Sequence, residues 1–247
     1  MLVFVLNAGS SSLKYQLIDI KSKELKASGL VERIGIDGIL KHEIGENKKI
    51  TFELPIPTHK EAIELVLRIL TNDETKVINS IDEIKAIGHR VVHGGEHFKG
   101  SVIVDDEVIR KIEELIPLAP LHNPANILGV KICKDLMPKV PNVVTFDTAF
   151  HQTMPMENFL YAVPYADYTE HHLRKYGFHG TSHYYVSQEA IKLLNKKDSK
   201  VIVCHLGNGS SVCAVKDGKS ISTSMGLTPL EGLVMGTRSG DIDAGVI

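Results

Sequence analysis

The sequence contains no tryptophan and only seven tyrosines and seven phenylalanines. So thin an aromatic content argues against a base-stacking platform for single-stranded nucleic acid. Charge of one sign is lacking too. Lys and Arg number 28 against 30 Asp and Glu, a formal net charge of −2, which gives no global pull toward nucleic acid or an anionic membrane. No apolar run approaches the length of a membrane span. The opening apolar run, Leu2 to Leu6, has no basic lead-in and does not fit a signal peptide. The three cysteines, Cys133, Cys204 and Cys213, are odd in number and show no CxxC spacing. All sit in apolar runs, so they are expected as reduced, buried small hydrophobes in a cytoplasmic protein. Cys204 and Cys213 flank one loop and are candidates to face each other across it, but a reducing compartment keeps such thiols free.

What is present is an ordinary globular composition, 43% hydrophobic and 23% charged over 247 residues, enough for one large or two medium domains with a sizeable core. One local pattern occurs twice. Leu2-Val3-Phe4-Val5-Leu6 runs into Asn7-Ala8-Gly9-Ser10-Ser11-Ser12 and then Leu13-Lys14-Tyr15-Gln16-Leu17-Ile18. Val201-Ile202-Val203-Cys204 runs into His205-Leu206-Gly207-Asn208-Gly209-Ser210-Ser211 and then Val212-Cys213-Ala214-Val215. Each reads as a hairpin whose small, polar tip offers backbone N–H groups and hydroxyls. Such tips suit phosphate, because only small residues let the backbone come so close. A pair of ordinary tight turns is the competing reading.

Strand-like and helix-like segments alternate, which points to α/β layering. Residues 25–54 read as strands with turns at Gly29, Gly35, Gly38 and Gly45 and a hairpin tip at Asn47-Lys48-Lys49. Thr58 caps a helix carrying Ala62, Ile63, Val66, Leu67 and Leu70. Residues 86–93 form a buried strand ending at Gly94-Gly95. Asp105 or Asp106 starts the next helix, and Asn123-Pro124 supplies an N-cap with proline at the first helical position. Asn142 to Phe146 is a short strand that delivers Asp147. Residues 151–180 read as irregular, Thr181-Ser182 cap a helix, and 226–245 is a glycine-dense loop with a short helix at 230–234. The domain boundary is expected at Asp147, separating 1–147 from 148–247.

The familiar phosphate motifs fail. Gly218-Lys219-Ser220 ends like a P-loop, but Cys213 stands where the first glycine is required. Gly207-x-Gly209 opens like a dinucleotide fingerprint, but position 212 is Val and the loop leads into a strand. His89-x-x-x-His93 lies on a β-favouring segment, where residues four apart are too far separated for one metal; His179 and His183 span a glycine and a helix start. Arg90 lies within an apolar strand and so needs a carboxylate, either a structural partner or a substrate anion. Arg238, in Gly236-Thr237-Arg238-Ser239-Gly240-Asp241, suits charge stabilisation in phosphoryl transfer or is a loop arginine at the surface. Asp147 ends a buried strand, a usual place for functional residues in α/β sheets, or caps the turn that follows. His179, enclosed by Gly177, Phe178 and Gly180, is open to a ligand or serves backbone carbonyls.

These stretches resemble acetate kinases. Asn7 to Lys14 looks like the family's opening motif, and Phe178-His179-Gly180-Thr181-Ser182-His183 and Met235 to Asp241 resemble two more. Residues 89–95, Phe146 to His151 and His205 to Ser211 are similar as well. The resemblance implies duplicated actin-like (ribonuclease H-like) ATPase domains, 1–147 with the first phosphate hairpin and 148–247, a partial second domain, with the other. It implies reversible transfer of phosphate from ATP to acetate, dependent on Mg2+ or Mn2+, with propionate or butyrate as the alternative acceptor. It assigns metal binding to Asn7 and ATP phosphate contacts to Ser10, Ser12, Lys14, His205, Leu206, Gly207, Asn208 and Gly209. Arg90 would bind the acetate carboxylate, with Val92, Leu121 and Pro229 shaping a methyl pocket. Asp147, His179 and Arg238 would be catalytic. Small molecules, not nucleic acid or membrane, are the expected partners, in a cytoplasmic homodimer. Family members continue well beyond Ile247, so the resemblance also implies a fragment without the adenosine half, weakly active or merely anion-binding by itself.

Overall fold

The structure, a computed structural model, describes residues 1–45, 48–196 and 198–247. They divide into two compact units, 1–91 with 102–145, and 92–101 with 146–247. The division thus falls after Thr145 rather than after Asp147, and it assigns the segment Val92–Ser101 to the second unit. The reason is packing. Val92 clusters with Phe178, Met225 and Met235, Phe98 stacks on Phe146 at 4.3 Å between ring centroids, and the Gly94 N–H donates to Thr148 Oγ1 at 3.0 Å.

The first unit is built on an eight-stranded sheet. Its strands are β1 (Leu2–Ala8), β2 (Leu13–Asp19), β3 (Glu24–Glu32), β4 (Ile39–Ile44), β5 (Lys48–Glu53), β6 (Ile84–Val91), β7 (Val102–Ile103) and β8 (Asn142–Phe146), in the order β5-β4-β3-β2-β1-β6-β8-β7. β1 to β5 form an antiparallel meander, and β6 adds to β1 in parallel. Period-two patterning orients the sheet. Leu13, Tyr15 and Leu17 are buried while Lys14 and Gln16 are exposed. The buried face joins one core with Ala62, Ile63, Val66 and Leu70 of α1 (His59–Thr71) and Ile132 and Cys133 of α3 (Asn123–Leu136).

Thr58 caps α1, accepting from the Lys60 N–H at 3.1 Å, and Asp105 caps α2 (Asp106–Glu114), accepting from Val108 at 2.8 Å. Asn123, however, is the first residue of α3 and not its cap, because its N–H already bonds the Ala119 carbonyl at 3.0 Å. Gly29 is not a turn but the middle of β3. Lys48 and Lys49 lie within β5, while Asn47 of that expected tip lies outside the described residues.

The second unit carries a three-stranded sheet, β11-β10-β9, from β9 (Lys200–Leu206), β10 (Ser210–Lys216) and β11 (Lys219–Thr223). The stretch expected to be irregular holds short helices α4 (Met156–Phe159) and α5 (Tyr165–His171). It is fixed by Arg174, whose guanidinium lies 3.6 Å from the Phe159 ring centroid and donates to Glu96 at 2.8 Å. α6 (Gly180–Leu194) follows directly on His179, and neither Thr181 nor Ser182 caps it. No helix forms at 230–234. Gly232 has φ +102°, and Asp241 takes its N–H with a side-chain oxygen at 2.8 Å.

Cys133 and Cys213 are buried but Cys204 is exposed. Cys204 pairs with Val212, and Cys213 with Val203. One residue of offset places the two thiols on opposite faces of the sheet, which excludes a bridge. Among the described residues no helix is long and apolar enough to cross a membrane.

Candidate functional site

In the first unit the β1–β2 hairpin is closed by Ala8 opposite Leu13, with Asn7 opposite Lys14 one pair below. Its tip is anchored on several sides. The Gly9 N–H donates to the Ser12 carbonyl at 2.8 Å and Ile34 donates to the Ser11 carbonyl at 3.1 Å. His59 Nε2 is hydrogen-bonded to the Gly9 carbonyl at 2.7 Å, and Asn126 donates to the Ala8 carbonyl at 2.7 Å. The outer face of the tip stays open: Ser10 and Lys14 are exposed and Ser12 is half-buried.

Arg90 is not enclosed within its strand. Alternation along β6 buries His89 and Val91 and turns Arg90 to the exposed face, where Nη1 donates weakly to Asn7 Oδ1 at 3.4 Å. His89 is instead bonded to Asn142 at 2.7 Å, and burial pushes its pKa down to about 4. A cavity of about 440 Å³ opens on the sheet face that carries Asn7 and Lys14, with Gln16, Ser28, Lys41 and Glu43 also lining it. Those last four escape a motif search. Their signal is the two-residue alternation continuing from Lys14 along β2 and into the paired strands. Leu121 is 79% exposed.

In the second unit the β9–β10 hairpin turns through Gly207, Asn208 and Gly209, with Leu206 opposite Ser210. Gly209 sits at a close approach of two side chains. A Cβ on Gly209 would lie 3.0 Å from Arg238 Nη2 and 3.4 Å from His179 Nε2. The Gly236 N–H donates to the Asn208 carbonyl at 3.1 Å. Arg238 is held in place by its Nη1, which donates to the Pro229 carbonyl at 2.6 Å. The hairpin tip, His179 and Arg238 therefore meet at one point.

His179 is itself in the left-handed region, φ +57°, a conformation that costs a non-glycine residue about 1–3 kcal/mol and clusters at functional sites. Its ring stacks on His205 at 4.0 Å between centroids. Asp147, 2% exposed at the end of β8, accepts the Gly180 N–H on its carbonyl at 2.8 Å. A Cβ on Gly180 would lie 2.2 Å from that oxygen, so only glycine allows the contact. Behind His179, burial pushes His151 down to about 4 and His183 to about 3, so both are neutral at pH 7. Sequence reasoning missed His183 and Ser211 as site residues. Their signal is the His-x-x-x-His spacing across a helix start and the serine pair that follows the hairpin glycines. Val92 lies in its apolar cluster at 4% exposure. Among the described residues no group of three His, Cys, Asp or Glu side chains is arranged to hold a metal.

The model of the acetokinase family matches residues 2–247. The chain belongs to the acetokinase family. An acetate kinase of Lachnoclostridium phytofermentans is 58% identical over 249 residues, covering 100% of this chain and 63% of its own length. The crystal structure of acetate kinase from Porphyromonas gingivalis superposes with a TM-score of 0.96 at 48% identity, over 99% of this chain and 62% of that one. A propionate kinase from Francisella tularensis superposes with a TM-score of 0.92 at 47% identity, over 99% and 62%. The acetokinase-family chain thus spans a little under two thirds of the length of these relatives. Its fold class is the duplicated actin-like α/β architecture of acetate kinases, with the second domain incomplete in this chain.

Proposed function

We propose that the chain serves ATP-dependent, reversible phosphoryl transfer to acetate, yielding acetyl phosphate and ADP. The observation that carries this reading is the meeting of His179 Nε2 and Arg238 Nη2 at Gly209, two nitrogen groups close against a backbone tip. Phosphoryl transfer asks for positioning and charge neutralisation and needs no covalent protein intermediate. A carboxylate oxygen of acetate attacks the terminal phosphorus, and the bond to the bridging oxygen breaks so that the electron pair leaves with ADP. In this reading Arg90 orients the carboxylate, Val92, Leu121 and Pro229 flank its methyl group, and Asp147 is the catalytic acidic residue. His179 and Arg238 neutralise the transferring group. Ser10, Ser12, Lys14 and the tip from His205 to Gly209 hold the phosphates.

Mg2+ or Mn2+ would neutralise phosphate charge when bound. Asn7 Oδ1 fits as one hard oxygen ligand, since its bond to Arg90 is long. The rest of the coordination would come from phosphate and water, as is usual for Mg2+. A cytoplasmic homodimer acting only on small molecules completes the proposal.

The likeness to a propionate kinase favours a second acceptor. One methylene is worth only about 1–3 kcal/mol of discrimination. The test incubates Mg-ATP with acetate, propionate and butyrate, traps acyl phosphate with hydroxylamine, and uses Arg238→Ala as the control. Product with acetate that vanishes in the variant is expected. No product with any acid, beside measurable acetate binding, would leave an anion-binding module in its place.

A further inference from the structure

We propose that Ser211 and His183 form a positioning relay that holds His179 as the neutral tautomer with its proton on Nε2. The Ser211 hydroxyl lies 2.8 Å from His179 Nδ1 and 2.7 Å from His183 Nε2. Both Ser211 and His183 are fully buried. A hydroxyl has one proton to give and two lone pairs to accept with, which leaves few arrangements.

In the first, Ser211 donates to His179 Nδ1 and accepts from the Nε2–H of His183. The protons of Ser211 and His183 are then both used, and on His183 only a lone pair at Nδ1 goes without a partner. In the second, the direction reverses and His183 carries its proton on Nδ1. That nitrogen is buried and has no hydrogen-bond partner among the described residues. A buried N–H left unbonded is rarer and costlier than a bare acceptor. In the third, both rings donate to Ser211, and its hydroxyl proton is left without an acceptor in a buried site. The first arrangement alone satisfies the buried donors of both Ser211 and His183. Burial opposes a charge on His183 in any arrangement.

The consequence is a fixed donor. His179 Nε2–H is presented beside Gly209 and Arg238 without adding charge behind it. Its use on a transferring phosphoryl group rests on the function proposed above, whereas the tautomer rests on the hydrogen-bond geometry alone.

The test is a long-range proton–nitrogen correlation spectrum of the 247-residue chain labelled with 15N-histidine, at pH 7. The His179 signal is identified by its loss in His179→Asn. The wild-type chain is expected to show a bare Nδ1 and a protonated Nε2. Ser211→Thr keeps the hydroxyl and should keep the tautomer. Ser211→Ala should give a mixture of tautomers, and so should His183→Leu, while His183→Gln, which donates through its amide, should retain the single form. Protonation of His179 at Nδ1 in the wild-type chain, or an unchanged single tautomer in Ser211→Ala, would overturn the relay. The wild-type spectrum decides even where a variant does not fold. If the tautomer is as expected and acyl phosphate is not formed, the relay stands and the proposed function falls.

Discussion

The ring of Tyr15 fills the space in which a Cβ on Gly29 would lie, with Cε1, Cζ and the hydroxyl each 2.5 Å from that point. The two residues are register partners on β2 and β3. The Tyr15 hydroxyl ends in a buried bond to His42 Nδ1 at 2.6 Å. Gly29→Ala must therefore displace the ring and stretch that bond. A loss of about 1–3 kcal/mol is expected, the usual cost of overpacking, read as a lower urea midpoint. A midpoint equal to wild type would contradict this account.

Gly209→Ala places a methyl group against Arg238 and His179 while leaving the β9–β10 pairing intact. Loss of a single well-aimed donor costs on the order of 10²–10³ in kcat, so acyl phosphate formation should fall by about that factor with little change in melting temperature. Retained turnover would mean that the two side chains do not act at this point.

His179 combines backbone strain with a proposed catalytic role. In His179→Gly, relief of the left-handed backbone, worth on the order of 1 kcal/mol, is offset by the lost acceptor of the buried Ser211 hydroxyl and the lost stack on His205, so little net change in stability is expected while acyl phosphate formation is lost. Equal losses in both measurements would show that the ring is chiefly structural.

Buried histidines shape the pH response, His42 included, whose pKa burial also lowers. Burial depresses His89, His93 and His151 to about 4 and His183 to about 3. In the unfolded chain they titrate near 6.5. Between those values the unfolded state binds more protons, so stability is complete above about pH 6.5 and is lost as pH falls toward 4. The slope approaches about 1.4 kcal/mol per pH unit for each histidine. Urea midpoints measured at pH 7 and pH 5 should differ steeply; a flat profile would refute neutral burial.

Thiol reactivity should separate the cysteines. Burial raises Cys133 to about 12 and Cys213 to about 11, so a thiol reagent should modify only exposed Cys204 in the native chain and all three cysteines in denaturant.

Much of this was legible because period and cap chemistry are local. The two hairpins, the Thr58 and Asp105 caps and Asp147 at a strand end all follow from short patterns. What was not legible depends on pairing across distance. Gly29 reads as a turn because glycine usually is one, and only the opposing Tyr15 ring makes it a strand residue. Arg90 reads as enclosed because its neighbours are apolar, yet alternation turns it outward. The cap of α6 is a backbone carbonyl from Asp147, which no side-chain motif can announce. Ser211 and His183 stand out only once the hairpin has brought them against His179.

That same carbonyl separates two roles that mutagenesis usually confounds. Asp147 steadies the residue after His179 through its main chain, and its carboxylate takes no part in that bond. Replacing the side chain leaves that anchor in place, so Asp147→Asn reads the carboxylate's own contribution with the bond to Gly180 retained. Displacing the main chain at the same residue would instead move both groups as one body.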